Sequence, residues 1–248
     1  FAGSQAGTDE QRVRALLYLQ VSGGVQPGET LRIWRDGAWQ ETETRGYTIG
    51  PHDEHSRLKP QAVKLMDQGM AAMQEGKPAE AVALLRRVIE LEPRAYEAYN
   101  NVAPALDATG EHEAATAMLE QALAINPTYV FARANLAIRC AGEDADAAAG
   151  YLEPLAARTA FTPEEFVIYQ YALAKVAIAR EDYKAADSLL DLALSVAPDY
   201  APAIKLKSWL DMHEFMAPGG PWEEFRARLA DRQARYRHRQ QARLATLT

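Results

Sequence analysis

Three similar stretches of sequence decide the fold: AVALLRRVIELEP at 81–93, ATAMLEQALAINP at 115–127 and ADSLLDLALSVAP at 186–198. Each has alanine first, leucine fifth and proline thirteenth. The first two lie 34 residues apart, and the third follows after a further 71, which is 34 plus 37. Because helices usually stop before a proline, each stretch predicts the second helix of a repeated unit.

Upstream of these stretches, a small residue recurs at Gly69, Ala103 and Ala137, again spaced by 34, with Ala174 in the last unit. A turn follows in three of the units, at 75–77, 109–111 and 180–182. The pattern predicts two amphipathic helices per unit, which the small residues allow to pack closely. One such hairpin cannot bury its apolar face alone, so neighbouring units must stack into a solenoid.

The joint recurrence of small, turn, large and proline positions resembles the tetratricopeptide repeat, over residues 61–200. The resemblance implies an all-α fold, an α-solenoid of tetratricopeptide-like helix hairpins wound as a right-handed superhelix. We expect four repeats in 61–200, a capping helix in 201–216 and an Arg-rich helix in 221–248. The third repeat is degenerate, and its second helix is predicted over Asp144 to Ala157 with a kink at Pro154.

Residues 1–60 precede the repeats and follow a different pattern. A helix is predicted from Thr8, as its cap, to Gln20. A β-hairpin is predicted in 31–42, because apolar and polar residues alternate on both sides of Asp36-Gly37. A lone hairpin is marginal in water. We therefore expect this helix-plus-β-hairpin segment to pack on the first repeat or to be the remnant of a neighbouring domain.

Composition describes a globular protein: 248 residues, 48% apolar and 25% charged. No apolar run is long enough for a membrane span. The single Cys140 can form no internal disulfide, which favours a cytoplasmic location, although a signal peptide already removed would leave no trace.

Catalytic and cofactor motifs are absent from the sequence, including a phosphate loop, a nucleophile elbow, paired cysteines and HExxH. We expect no catalytic residue, cofactor or metal, and a solvated linker at His52-Asp53-Glu54-His55 is favoured over a cation site.

The resemblance implies that the first helices of the repeats line a concave groove that holds an extended peptide. Asn101 falls where peptide-binding members often carry an asparagine that bonds the ligand backbone, and Asn135 lies 34 residues later. An amide side chain can donate and accept a backbone bond, although ordinary solvated polar residues would fit the same positions. The predicted peptide-binding residues are Met66, Met70, Asn100, Asn101, Phe131, Asn135, Ile138, Tyr171 and Lys175.

Two features refine this predicted groove. The basic residues of the family's carboxylate clamp are missing, because Met66 and Phe131 stand on the relevant helices, although Lys175 supplies one charge. Pro104 falls inside the first helix of the second repeat, where proline would free the carbonyl of Asn100 for a ligand. A helix that starts nearer Pro104 is the alternative.

The leading functional hypothesis is a non-catalytic scaffold that binds a partner protein or peptide in the groove. Charge suggests an alternative, because residues 61–221 carry 13 basic and 23 acidic side chains while 222–248 carry seven and three. The tail could dock on the acidic repeats, contact another partner, or act in a nucleic-acid-associated adaptor through Arg232, Arg235 and Arg239. A third hypothesis is an accessory region of an enzyme whose catalytic part lies outside this sequence.

Overall fold

The computed structural model describes residues 58–216 without a gap. Before them it describes residues 28–35, 37–43 and 47–50, and elsewhere only isolated positions. The strands are β1 (Thr30–Arg35), β2 (Ala38–Glu43), β3 (Thr48–Ile49) and β4 (Ala160–Phe161). The helices are α1 (Pro60–Gln74), α2 (Pro78–Leu91), α3 (Tyr96–Ala108), α4 (His112–Ile125), α5 (Val130–Cys140), α6 (Ala145–Leu152), α7 (Pro163–Ala179), α8 (Tyr183–Val196) and α9 (Ala201–Met216).

The first eight helices form four successive hairpins, α1–α2, α3–α4, α5–α6 and α7–α8. Each hairpin packs on the next one, through α2 on α3, α4 on α5, and both α5 and α6 on α7. Helices α2, α4 and α8 each end two residues before the proline of their stretch, as expected. The predicted all-α solenoid of helix hairpins is therefore confirmed.

Close packing inside a hairpin depends on the small residue of the first helix. A Cβ atom placed on Gly69 would lie 2.8 Å from Cγ of Leu85, which is fully buried. Ala103, Ala137 and Ala174 hold the corresponding positions on α3, α5 and α7 and are also buried. The repeated small position therefore has the physical role that the sequence pattern indicated.

The turns inside the regular hairpins share one backbone geometry. Gly76 and Gly110 follow α1 and α3 with φ of 73° and 85°, a left-handed conformation that favours glycine. Glu181 takes the same position after α7, with φ of 60°. In all three turns the next amide bonds back to the helix, as with Lys77 N to the Ala72 carbonyl oxygen at 2.9 Å. These bonds satisfy carbonyl groups that a helix end leaves open.

The third hairpin departs from the predicted form. The expected helix from Asp144 to Ala157 is wrong, because α6 ends at Leu152 and a 3₁₀ turn covers Glu153–Leu155. Pro154 lies within that turn. Since proline has no N–H and crowds the preceding turn, the helix stops before Pro154 instead of continuing with a kink. The side chain of Asp144 caps the start of α6 by accepting bonds from two backbone amides.

The predicted β-hairpin is confirmed by β1 and β2, which pair antiparallel with Trp34 opposite Trp39. Gly37, at the turn, has φ of 76°. Ile33 is buried and packs against Ala15 and Leu19, which are among the few described residues of the predicted N-terminal helix and are helical. Most of that predicted helix lies outside the described residues.

The segment after this hairpin reaches the fourth repeat. Strand β3 pairs in parallel with β4, with Thr48 opposite Ala160 and Ile49 opposite Phe161. The ring of Tyr47 lies edge-on to Phe161 and Phe166, at centroid distances of 5.9 and 5.0 Å. Residues 47–50 therefore join the third and fourth hairpins. We expected the N-terminal segment to pack on the first repeat, but these four residues pack elsewhere.

The chain divides into two compact units, Phe1–Asp199 and Tyr200–Thr248. In the second unit α9 is helical, as predicted, and the ring of Trp209 lies 5.2 Å from that of His213. A capping role for α9 stays a prediction. The Arg-rich helix predicted in 221–248 falls almost wholly outside the described residues.

Candidate peptide-binding site

A chain of side-chain amides crosses three successive hairpins on their first helices. Nδ2 of Asn135 on α5 donates to Oδ1 of Asn100 on α3 at 3.0 Å. Nδ2 of Asn100 donates to Oδ1 of Asn101 at 3.2 Å, and Nδ2 of Asn101 donates to Sδ of Met66 on α1 at 3.5 Å. We call these four residues the asparagine ladder. The structure thus brings together four of the residues predicted from the sequence.

The ladder fixes the orientation of the Asn101 side chain. Its oxygen is bonded to Asn100, which is 6% exposed, so its amide nitrogen must point away from that bond. The acceptor that this nitrogen meets is a thioether sulfur, which accepts hydrogen bonds only weakly. Asn101 itself is partly exposed. A stronger acceptor, such as a peptide carbonyl, could therefore replace Met66 with little loss.

The other predicted groove residues flank the ladder. Met70 lies one turn beyond Met66 on α1 and is 41% exposed. Phe131 and Ile138 lie on the same face of α5 as Asn135, and both are half-buried. Tyr171 and Lys175 lie one turn apart on α7 and are also half-buried. Burial raises the pKa of the Tyr171 phenol above its usual value, so this side chain stays neutral at physiological pH.

Pro104 lies inside a helix, as predicted by the interpretation in which it frees the carbonyl of Asn100. Helix α3 begins at Tyr96, eight residues before Pro104. The alternative of a helix that starts near Pro104 is therefore wrong. Because Pro104 carries no N–H, it cannot bond to the carbonyl of Asn100. The carbonyl of a ladder residue is thus released from the helix bond that it would normally accept.

Arg139, which was not among the residues predicted from the sequence, ties α5 to the two preceding helices. Its guanidinium forms an ion pair with Asp107 on α3, and it donates to the His112 carbonyl and to Oγ1 of Thr116 on α4 at 2.8 and 3.1 Å. The imidazole of His112 also bonds to Asp107, at 3.0 Å. No sequence pattern singles out Arg139, because its partners lie 23 to 32 residues earlier in the chain.

The remaining predicted sites lie outside the described residues, namely the cluster at 52–55 and the tail arginines Arg232, Arg235 and Arg239. Within the described part of the chain, no group of three His, Cys, Asp or Glu side chains could hold a metal ion. No helix in that part is long and apolar enough to cross a membrane.

Comparison with known proteins agrees with the fold. The family described as tetratricopeptide repeat matches residues 66–130. The crystal structure of PilW, a type IV pilus biogenesis factor, shares 18% identity and covers 62% of this chain and 70% of its own, with a TM-score of 0.53. MamA from Desulfovibrio magneticus RS-1 shares 15% identity over 63% of this chain and 86% of its own, with a TM-score of 0.44. No curated protein matches the chain significantly.

The stacked hairpins first define the class, an α-solenoid. The family match adds that residues 66–130 are tetratricopeptide repeats, and the same hairpin architecture continues to α8. Solenoids of stacked repeats present extended binding surfaces, so the broad class of the protein is that of a protein-interaction scaffold.

Proposed function

We propose that the chain binds an extended peptide segment of a partner protein along its first helices, with Asn101 as the central contact. The single observation that carries this proposal is the bond from Nδ2 of Asn101 to the sulfur of Met66. A peptide carbonyl accepts more strongly than a thioether, so a partner backbone gains by taking this donor. The ladder holds the donor in place beforehand, which lowers the entropy lost on binding.

Apolar side chains on either side supply the remaining affinity. Met66 and Met70 are flexible and polarisable, so they adapt to different apolar side chains of a ligand. Phe131, Ile138 and Tyr171 extend the apolar surface towards α7. Residues 61–221 carry ten more acidic than basic side chains, which favours a neutral or basic peptide over an acidic one.

The test compares two Asn→Asp substitutions in the 248-residue chain. Asn101→Asp keeps an oxygen to accept from Asn100 but removes the Nδ2 donor. Asn126→Asp is the matched control, because Asn126 uses only its Oδ1 as an acceptor, from the amide and hydroxyl of Thr128. Peptides are first selected on the wild-type chain from a random display library, and their Kd values are then measured by calorimetry on each variant.

We expect Asn101→Asp to raise the Kd of the selected peptides about tenfold, because one hydrogen bond is lost and its peptide carbonyl is left unpaired. Asn126→Asp should change Kd less than twofold. Met66→Ala should weaken the apolar contacts while leaving the backbone bond. The proposal is contradicted if wild type and Asn101→Asp bind the peptides with equal Kd values. If the peptides also compete with one another, they share a binding surface that does not include Asn101.

A further inference from the structure

A cavity of about 430 Å³ lies between the third and fourth hairpins. Helix α7 forms one long wall, from Tyr169 to Arg180, and α6 with its 3₁₀ turn and α8 form the sides. Tyr47 closes part of it from the N-terminal segment. No ladder residue lines the cavity, so it is separate from the surface proposed for peptides.

The shortened helix of the third hairpin explains why this space exists. Helices α2, α4 and α8 have 14 residues each, whereas α6 has eight. The six missing residues correspond to about 9 Å of helix. Past Leu152 the chain continues as the 3₁₀ turn Glu153–Leu155 instead of a helix of full length. The residues of α7 and α8 that face the gap, such as Leu173 and Leu189, line the cavity.

One polar side chain in this wall has an unmet hydrogen bond. Gln170 is 1% exposed and lines the cavity, and its Nε2 has no acceptor among the described residues. It occupies a core position of α7, between the buried Phe166 and Ala174. Buried amides are normally paired because an unpaired one is destabilising. An unpaired amide on a residue that lines a cavity is the feature expected where a ligand supplies the partner.

The chemistry of the walls restricts the ligand. Most of the lining is apolar, including Ala149, Leu152, Leu173, Val176, Leu189 and Leu192. Gln170 carries no charge, and burying an ionised group beside a neutral amide is strongly unfavourable. Arg180, at the far end, is engaged with Asp146 at 2.6 Å. The volume lies within the range of small-molecule pockets, which combine apolar walls with a few fixed polar groups.

We propose that this cavity binds a small, neutral, apolar molecule with a carboxamide or similar carbonyl group, which pairs with the side-chain amide of Gln170. The apolar body of the ligand lies along α7 towards Arg180. The wall from Tyr169 to Arg180 spans eleven residue steps, about 16 Å of helix, which accommodates a medium-length aliphatic chain. Binding fills the space left by the short α6 and pairs the amide at the same time.

The test uses octanamide as the probe and octanoate as its charged equivalent of the same chain length. Binding to the 248-residue chain is measured by calorimetry, and ¹⁵N spectra locate the probe through the side-chain NH₂ signal of Gln170. We expect octanamide to bind at least about tenfold more tightly than octanoate, because the carboxylate must lose its hydration beside an uncharged amide. The Gln170 signal should shift with octanamide.

Three variants distinguish octanamide binding in the cavity from binding at other surfaces. Gln170→Met keeps the volume and removes the amide, and it should lower octanamide affinity about tenfold. Gln121→Met makes the same change at an exposed position of α4 and should have no effect. Asn101→Asp should also leave octanamide binding unchanged, so failure of the peptide proposal would not affect this one.

Ala149→Leu adds bulk to the cavity wall and should reduce binding of octanamide without unfolding the chain, which a thermal melt checks. Absence of octanamide binding at millimolar concentration would mean that the cavity holds water only, and would overturn the proposal. Equal binding by wild type and Gln170→Met would overturn it as well.

Discussion

The first two hairpins and the third bury residues at equivalent positions, but their second helices differ in length. In α1–α4 the second helices run 14 residues and cover their neighbours by themselves. In the third hairpin α6 stops after eight residues, and residues 47–50 of the N-terminal segment reach the junction with the fourth hairpin. Both versions keep a buried leucine four residues after the buried alanine of the second helix, Leu85 in the first hairpin and Leu152, the last residue of α6, in the third.

This contrast shows which parts of a repeat are essential to stacking. The small residue of the first helix and the alanine and leucine of the second are buried in every hairpin, including the third with Ala137, Ala148 and Leu152. The length of the second helix is not essential, since another segment of chain can pack where it ends. The shortened helix also leaves the cavity beside α7, a feature that no perfectly regular repeat would contain.

The largest expected difference between the two regions comes from truncating the buried leucine of the second helix in each. Leu85 is fully buried and packed on all sides, so Leu85→Ala should destabilise the chain by about 3–4 kcal/mol. Leu152 is also buried, but it lines the cavity, so Leu152→Ala enlarges a space that already exists and should destabilise the chain by only about 2 kcal/mol. Urea unfolding followed by circular dichroism measures both values. A larger loss for Leu152→Ala would contradict the idea that the third hairpin is the less densely packed one.

A smaller effect, of opposite sign in the two regions, is expected from Gly→Ala substitutions within helices. Gly69→Ala places a methyl group 2.8 Å from Leu85 and should destabilise by about 1–3 kcal/mol. Gly150 on α6 has no atom within 4 Å of such a methyl group, so Gly150→Ala should stabilise by about 0.5–1 kcal/mol through helix propensity. The shift in thermal midpoint gives the sign directly. Stabilisation by Gly69→Ala would mean that the close helix approach is not required.

Much of the fold could be predicted from the sequence because its determinants are local and repeated. The positions of Gly69, Leu85 and Pro93 recur 34 residues later at Ala103, Leu119 and Pro127, and the prolines predict where the second helices end. The β-hairpin followed from the alternation around Gly37. The end of α6 was predicted wrongly because Pro154 permits either a kink or a stop, and only the packing decides between them.

The contacts that were not predicted join distant parts of the chain. Tyr47 meets Phe161 and Phe166 more than 110 residues later, and a two-residue parallel pairing leaves no periodic signal. On the proposed binding face, Asn101 and Asn135 were expected on the same side of successive layers, but the bonds through Asn100 and Met66 depend on side-chain geometry. Gln170 was detectable in principle, as a polar residue at a core position of α7.

Hydrogen exchange of a Tyr47→Ala chain tests most directly the central claim that residues 47–50 complete the junction of the third and fourth hairpins. Loss of the two ring contacts should accelerate exchange in α7 about tenfold, since each aromatic pair contributes about 0.5–1.5 kcal/mol. Exchange in α3 should not change, because repeat proteins respond locally. Trp39→Ala, at a 42% exposed site on the β-hairpin, is the control and should leave α7 unaffected. Unchanged exchange in α7, or equal acceleration in α3 and α7, would contradict the claim.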